Sequence, residues 1–190
     1  MLYKSKVNQG ATPEETTFGA PELVGYTLGI ELGNMGFDYN TGRMYAVDLT
    51  NGGLAIIDLD TGDVDALGAF KGDIGANGAI APAMCVTADG TIVVSNMFGS
   101  LFTVDPDTLE TTQIGSTNTD TWYYAAMTYD YNTGSIYWNP CMNAKASPFY
   151  LVRLGTDPWD ETRTVAEIMD MGDVASTLFV ASCALSATVK

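Results

Sequence analysis

Three consecutive aromatic residues at 122–124 are the side chains of this sequence best suited to binding a ligand. Aromatic rings beside amide groups suit sugars and peptides, which combine apolar faces with polar edges. The repeat described below places this run on the same face of the protein as Asn96, Phe98 and Asn139. The alternative is that the rings only close the apolar core between sheets. The predicted ligand-binding residues are Trp122, Tyr123, Tyr124, Asn96, Phe98 and Asn139.

A cluster of carboxylates at 58–65, DLDTGDVD, suggests calcium, because hard cations prefer oxygen ligands. The spacing of an EF-hand loop is absent, since Gly62 stands at the fifth position from Asp58 and no glutamate stands at the twelfth. Asp and Gly are also common in hairpin turns. We therefore predict no metal site. A pair of carboxylates that catalyses glycoside hydrolysis is an open alternative, although nothing in the sequence singles out one pair.

The residue types most used in catalysis and metal binding are scarce in this chain. The sequence has no histidine, which removes histidine-based triads and nearly every catalytic zinc site. Its three cysteines, Cys85, Cys141 and Cys183, have no CxxC spacing and allow at most one disulfide. Each lies in or beside an apolar segment, which favours buried thiols. We predict no cofactor.

The net charge of the chain limits the kinds of partner that it can bind. The net charge is −15 and only eight residues are basic, so a nucleic-acid or anionic-membrane surface is excluded. No run of about 18 apolar residues occurs, and no membrane span is predicted. The N-terminus, MLYKSKVNQG, lacks the apolar core of a signal peptide. Two alternatives follow, a cytoplasmic protein or a segment of a longer precursor, and we favour the second.

The strands that must position these residues are predicted from a sequence motif that occurs three times. FDYNTGRMYAV at 37–47 returns as VTADGTIVVSN at 86–96 and as YDYNTGSIYW at 129–138. Each copy is the end of one strand, a glycine-closed tight turn and a second strand rich in β-branched and aromatic residues. The glycines that close the three turns, Gly42, Gly90 and Gly134, are spaced 48 and 44 residues apart. The equivalent third strands, marked by Asp58, Asp105 and Arg153, are spaced 47 and 48 residues apart.

A four-stranded unit with a period of about 45 residues is typical of the β-propeller blade. We predict an all-β, single-domain β-propeller with four-stranded antiparallel blades near residues 35–70, 83–116 and 125–168. A fourth blade would be split between residues 1–30 and 177–190; the alternative is an arc of a larger propeller. The first strand of each unit is rich in small residues, as crowding near a propeller axis requires. A β-sandwich is the competing fold.

The phrases YDYNTGSIYW and LFTVDPDTLETTQIG resemble blades of secreted, cell-surface proteins of anaerobic gut-type bacteria. The resemblance covers about residues 35–181 and implies a module joined to immunoglobulin-like or surface-anchoring domains. It carries no catalytic residues. No WD dipeptide ends a strand, and neither the paired-glycine pattern of kelch repeats nor the SxDxGxxW Asp-box of sialidases is found.

These observations favour a non-catalytic extracellular or cell-surface module within a larger multidomain protein. Its ligand would be a glycan, a peptide or a protein, or it would space other domains. The alternative function is a carbohydrate-active hydrolase or lyase that uses carboxylates and tyrosines on one propeller face. The lack of histidine makes the enzyme the weaker hypothesis.

Overall fold

The computed structural model describes residues 1–27, 29–74, 83–117, 125–140 and 148–173. Within them the secondary structure is almost entirely β, with a single short 3₁₀ helix at Pro13–Glu15. In chain order the strands are β1 (Leu2–Lys4), β2 (Val7–Asn8), β3 (Thr17–Phe18), β4 (Glu22–Gly25), β5 (Leu32–Asp38), β6 (Arg43–Asp48), β7 (Gly53–Ile57), β8 (Val64–Ala69), β9 (Lys71–Gly72), β10 (Ala83–Val86), β11 (Ile92–Ser95), β12 (Ser100–Val104), β13 (Glu110–Ser116), β14 (Ala126–Asp130), β15 (Ser135–Asn139), β16 (Pro148–Asp157) and β17 (Asp160–Asp173).

Three antiparallel meanders of four strands form the body of the protein. They are blade 1 (β5–β8), blade 2 (β10–β13) and blade 3 (β14–β17), and in each the strands pair in chain order. The innermost strands β5, β10 and β14 contact one another, so the sheets radiate from a common axis. The predicted fold class, an all-β propeller of four-stranded antiparallel blades, is confirmed. A sandwich would instead stack two sheets face to face.

The turn between the first two strands of each blade explains the repeated phrase. Gly42 and Gly134 close these turns with φ of 71° and 68°, a left-handed conformation that a Cβ would strain. Their N–H groups donate to the carbonyl oxygens of Asp38 and Asp130, at 2.8 and 2.9 Å. The capping aspartate and the closing glycine of the phrase thus recur in blades 1 and 3 because the turn requires them.

Two apolar cores hold adjacent blades together. The first contains Tyr45, Val47 and Leu54 of blade 1 and Met84, Val94 and Phe102 of blade 2. The second contains Cys85, Val93 and Leu101 of blade 2 and Met127, Trp138 and Tyr150 of blade 3. Alternate residues of blade 2 thus face opposite neighbours, as the period of two in a strand requires.

The inner strands of blades 1 and 2, β5 and β10, approach each other closely at the axis. A Cβ added to Gly36 of β5 would stand 2.9 Å from Val86 Cγ2 and 3.1 Å from Val86 N on β10. Real Cβ atoms almost never come so close to another heavy atom. The expectation that first strands need small side chains is met at this position.

The chain between blades 1 and 2 forms an element that sequence analysis did not predict. β9 pairs in parallel with β13 and adds a fifth strand to the outer edge of blade 2. Asp73 Oδ2 accepts a hydrogen bond from Gln113 N at 2.9 Å, and Phe70 and Ile74 are buried in the first core. This connection covers a strand edge that would otherwise expose unpaired backbone groups.

The N-terminal residues form two small sheets, β1 with β4 and β2 with β3. β4 lies against the β7–β8 turn of blade 1, where a Cβ on Gly25 would stand 2.5 Å from Thr61 O. Residues 177–190 lie outside the described residues, so a fourth blade shared between both ends of the chain stays a prediction. Among the described residues no helix is long and apolar enough to cross a membrane.

Candidate functional site

The described members of the predicted site, Asn96, Phe98 and Asn139, lie on the face that carries the turns between the second and third strands. Trp122, Tyr123 and Tyr124 fall outside the described residues. Asn96 is buried after β11, and its Oδ1 accepts hydrogen bonds from Phe98 N and Ser100 N, both at 2.9 Å. The Asn96 amide therefore shapes the β11–β12 turn.

Asn139 ends β15 and is only 1% exposed. Its Nδ2 donates to Pro148 O at 2.8 Å, which fixes the start of β16. Its Oδ1 is buried and has no partner within the part of the chain that the structure describes. Phe98, by contrast, is 54% exposed, so it is the accessible member of the described predicted residues. Ligand contact at this face stays a prediction.

A concave site with suitable chemistry lies at the opposite end of the blades. It is a cleft of about 170 Å³ at the axis, between the inner strands of all three blades, and we call it the axial cleft. None of the described residues that line it is a lysine or an arginine. Its lining includes Asn34, Phe37, Tyr39, Met127, Tyr129 and Tyr131.

Four aromatic rings cross the mouth of the axial cleft, and we call them the aromatic ladder. Phe37 packs edge to face on Tyr39 at 4.9 Å, Tyr39 on Tyr131 at 5.3 Å, and Tyr131 on Tyr129 at 4.9 Å. The interplanar angles lie between 82° and 89°. Each such pair contributes about 0.5–1.5 kcal/mol beyond the burial of area. The ladder therefore fixes its rings while leaving Tyr39 67% and Tyr131 37% exposed.

Polar contacts between blades 1 and 3 position the cleft. Asn34 Oδ1 on β5 accepts a hydrogen bond from Met127 N on β14 at 3.0 Å. That contact satisfies a backbone donor at the inner edge of blade 3. The Tyr131 hydroxyl lies 3.5 Å from Phe37 O and 3.4 Å from Val86 O, within donating distance of either. Residues more than ninety positions apart thus meet at one site.

The protonation states at the cleft are set by its surroundings. Burial, with the nearby Tyr39 hydroxyl second, raises the pKa of Tyr131 to about 12, so this phenol is a neutral donor at physiological pH. The Thr41 hydroxyl donates to Asp38 Oδ2 at 2.6 Å and holds the pKa of that carboxyl below its usual value. Thr133 does the same for Asp130 at 2.7 Å. Both carboxylates are next to residues of the aromatic ladder in the chain, and neither lines the cleft.

Of the carboxylates at 58–65, that of Asp58 caps a turn. Asp58 Oδ1 accepts hydrogen bonds from the backbone N–H groups of Asp60 and Thr61 at 2.8 and 2.9 Å, which lower its pKa. No group of three or more acidic, cysteine or histidine side chains suited to a metal occurs among the described residues. The structure gives the Asp58 carboxylate a turn-capping role.

Sequence analysis missed Tyr39 and Tyr131, although a signal was present. Both occupy the same position of the repeated phrase, as DYNTG in blades 1 and 3, while blade 2 has Ala88 there. The sequence pattern by itself predicts only a turn. A tyrosine is not required between the capping aspartate and the asparagine of such a turn, so its recurrence was the available clue.

Comparison with known proteins supports the fold. No family model and no curated protein sequence matches the chain. An auxiliary nutrient binding protein from Bacteroides ovatus is similar in structure, with 19% identity and a TM-score of 0.50 over 73% of this chain and 31% of that one. A protein of unknown function from Bacteroides thetaiotaomicron has 20% identity and a TM-score of 0.53 over 83% of this chain and 41% of that one. The chain thus spans less than half of each.

Proposed function

We propose that this protein is a non-catalytic ligand-binding module of a larger secreted or cell-surface bacterial protein. Its ligand is a neutral glycan, which binds at the axial cleft. The observation that carries the proposal is the aromatic ladder, because it presents a fixed and accessible tyrosine ring, Tyr39, over a cleft lined by amide and hydroxyl groups.

The chemistry of the cleft favours a neutral, hydroxylated ligand. The C–H face of a sugar ring can stack on Tyr39, while the amides and hydroxyls beneath offer hydrogen bonds to its edge. An anionic ligand would find no positive charge in the cleft, since no lysine or arginine is among the described residues that line it.

The dimensions favour a terminal sugar over an internal segment. A volume of about 170 Å³ is smaller than the roughly 300–1,000 Å³ of most small-molecule sites. One ring edge enters such a cleft, and the rest of the ligand lies over Tyr39. We therefore expect modest affinity, with a dissociation constant between roughly 1 mM and 1 μM.

The comparisons support a binding module in a coarse sense. The structurally similar Bacteroides ovatus protein is named an auxiliary nutrient binding protein, and it is more than twice as long as the aligned chain. A similar role here, as one part of a longer chain, agrees with the resemblance of the repeats to surface proteins.

The hydrolase or lyase hypothesis receives less support. A glycosidase needs one carboxyl with a raised pKa to act as the general acid. The carboxyls beside the cleft, Asp38 and Asp130, have lowered pKa values because hydroxyl and backbone donors of their own turns hold them ionised. Both are also used as turn caps, which removes them from proton transfer.

Binding of a panel of neutral oligosaccharides, measured by isothermal titration calorimetry, tests the proposal. We expect Tyr39→Ala to weaken binding at least about tenfold, which corresponds to the loss of one stacking contact. Trp159→Ala is the matched control, because Trp159 is 92% exposed at the β16–β17 turn, away from the axis. Phe98→Ala probes the opposite face. Absence of saccharide binding would refute the proposed function. Weaker binding in Phe98→Ala but not in Tyr39→Ala would show that the ligand binds at the face that carries Phe98 and not at the axial cleft.

A further inference from the structure

The inner strands of the three blades turn backbone groups toward the axial cleft. β5, β10 and β14 are each the edge strand of their sheet, so one side of each has no strand partner. Alternate residues of an antiparallel strand direct their N–H and C=O groups to that side. Met127 N and the carbonyl oxygens of Phe37 and Val86 belong to this set, since their contacts cross between blades. All three residues line the cleft.

The two carbonyl groups share one donor. The Tyr131 hydroxyl is 3.5 Å from Phe37 O and 3.4 Å from Val86 O. A phenol has a single hydrogen and donates one hydrogen bond. It therefore satisfies one carbonyl at a time, and the other keeps an acceptor site for a ligand. Val86 is buried, and an unpaired buried acceptor is unfavourable.

Asn34 supplies a donor to the same cleft. Its Oδ1 accepts a hydrogen bond from Met127 N at 3.0 Å, which fixes the orientation of the side-chain amide. Its Nδ2 carries two hydrogens, and neither has an acceptor among the described residues. Asn34 is half-buried and lines the cleft. The cleft thus presents a fixed donor and an available acceptor from different groups.

A secondary amide matches this pair, because its C=O and N–H point in opposite directions and bond to two separate groups. We propose, resting on the proposed function, that the axial cleft recognises the acetamido group of an N-acetylated sugar. Its carbonyl oxygen accepts from Asn34 Nδ2, and its N–H donates to the Phe37 or Val86 carbonyl. Its methyl group lies against the aromatic ladder, and the sugar ring stacks on Tyr39. A sugar hydroxyl has its donor and acceptor on one oxygen atom and spans the two groups less well.

Isothermal titration calorimetry with two matched disaccharides tests this inference on the full chain. Di-N-acetylchitobiose and cellobiose share one sugar skeleton and differ only in the acetamido groups that replace two hydroxyls. We expect di-N-acetylchitobiose to bind at least about tenfold more tightly than cellobiose.

A substitution at Asn34 then tests the contact itself. Asn34→Asp keeps an oxygen acceptor for Met127 N and removes the two donor hydrogens. We expect it to reduce the preference for di-N-acetylchitobiose to less than about threefold, with the affinity for cellobiose nearly unchanged. Asn132→Asp is the matched control, since Asn132 is in the β14–β15 turn and is not among the described residues that line the cleft. It should keep the full preference.

The outcomes separate this inference from the proposed function. Equal affinity for the two disaccharides would overturn the inference and leave glycan binding at the cleft standing. A preference that persists in Asn34→Asp would also overturn it, because the acetamido group would then bind elsewhere. If Asn34→Asp does not fold, the two disaccharides compared on the parent protein still decide. Absence of binding by every neutral saccharide would refute the proposed function and this inference with it.

Discussion

Replacement of Gly36 by alanine tests how tightly the blades pack at the axis. The new Cβ would meet Val86 Cγ2 at 2.9 Å and the backbone nitrogen of Val86 at 3.1 Å. Neither atom can move cheaply, since valine has one strongly preferred side-chain rotamer in most settings and the nitrogen belongs to β10. Overpacking of this kind costs about 1–3 kcal/mol. For a chain of this length, each kcal/mol lowers the melting temperature by about 2–4 °C.

The control for this substitution is Gly155→Ala in β16. A Cβ at Gly155 has no heavy atom within 4 Å, and the residue is not in the left-handed region. We expect its free energy of unfolding to stay within about 0.5 kcal/mol of the parent value. Calorimetry and urea titration, followed by the fluorescence of the buried Trp138, measure both variants.

A double-mutant cycle identifies the contact itself. Val86→Ala removes Cγ2 and should recover part of the stability that Gly36→Ala loses, so the two changes should be non-additive by about 0.5 kcal/mol or more. Strict additivity would show that the two residues do not touch. A Gly36→Ala variant as stable as Gly155→Ala would contradict the close approach of β5 and β10.

Three further predictions follow from the turns and the cleft. Gly134→Val should lower the free energy of unfolding by at least about 1–2 kcal/mol, because its φ is 68°, and thermal unfolding measures the loss. Tyr131→Phe should leave the aromatic ladder in place but cost about 0.5–1.5 kcal/mol of stability, measured by urea titration, since one hydroxyl donor is lost. Folding stability should fall as the pH drops below about 4, because the folded protein holds Asp38 and Asp130 at lowered pKa values and the unfolded chain protonates first. Asp38→Asn, which keeps a cap, should reduce this pH dependence in urea titrations at pH 7 and pH 3.

The parts of the fold that local chemistry dictates could be predicted from the sequence. The DYNTG turns need only a capping aspartate and a glycine at positive φ, so their position and the strands on either side follow from the residues themselves. The four-strand unit then follows from repetition. β9 could not be predicted in this way, because its two residues pair with Glu110 and Thr111, which are distant in sequence, and carry no strand pattern of their own.

The candidate site was harder to predict because asparagine serves both to bind ligands and to cap turns, and the sequence does not distinguish the two roles. The sequence predicts Asn96 and Asn139 as ligand-binding amides, yet both bond to backbone groups nearby in the chain. Asparagine is common at strand ends for that reason. The axial cleft depends on the approach of Phe37, Val86 and Tyr131 from three blades, and no local pattern records that approach.

The proposed binding site and the packing of the blades therefore depend on the same contacts. No single blade contains the axial cleft, since Asn34 of blade 1 holds Met127 of blade 3 and Tyr131 reaches blades 1 and 2. A ligand that bridges Tyr39 and Tyr131 binds only the assembled ring segment and not the unfolded chain. Binding must then stabilise the association of the blades, by an amount set by the ratio of ligand concentration to dissociation constant. Conversely, any change that separates β5 from β14 should weaken binding even when Tyr39 itself is untouched.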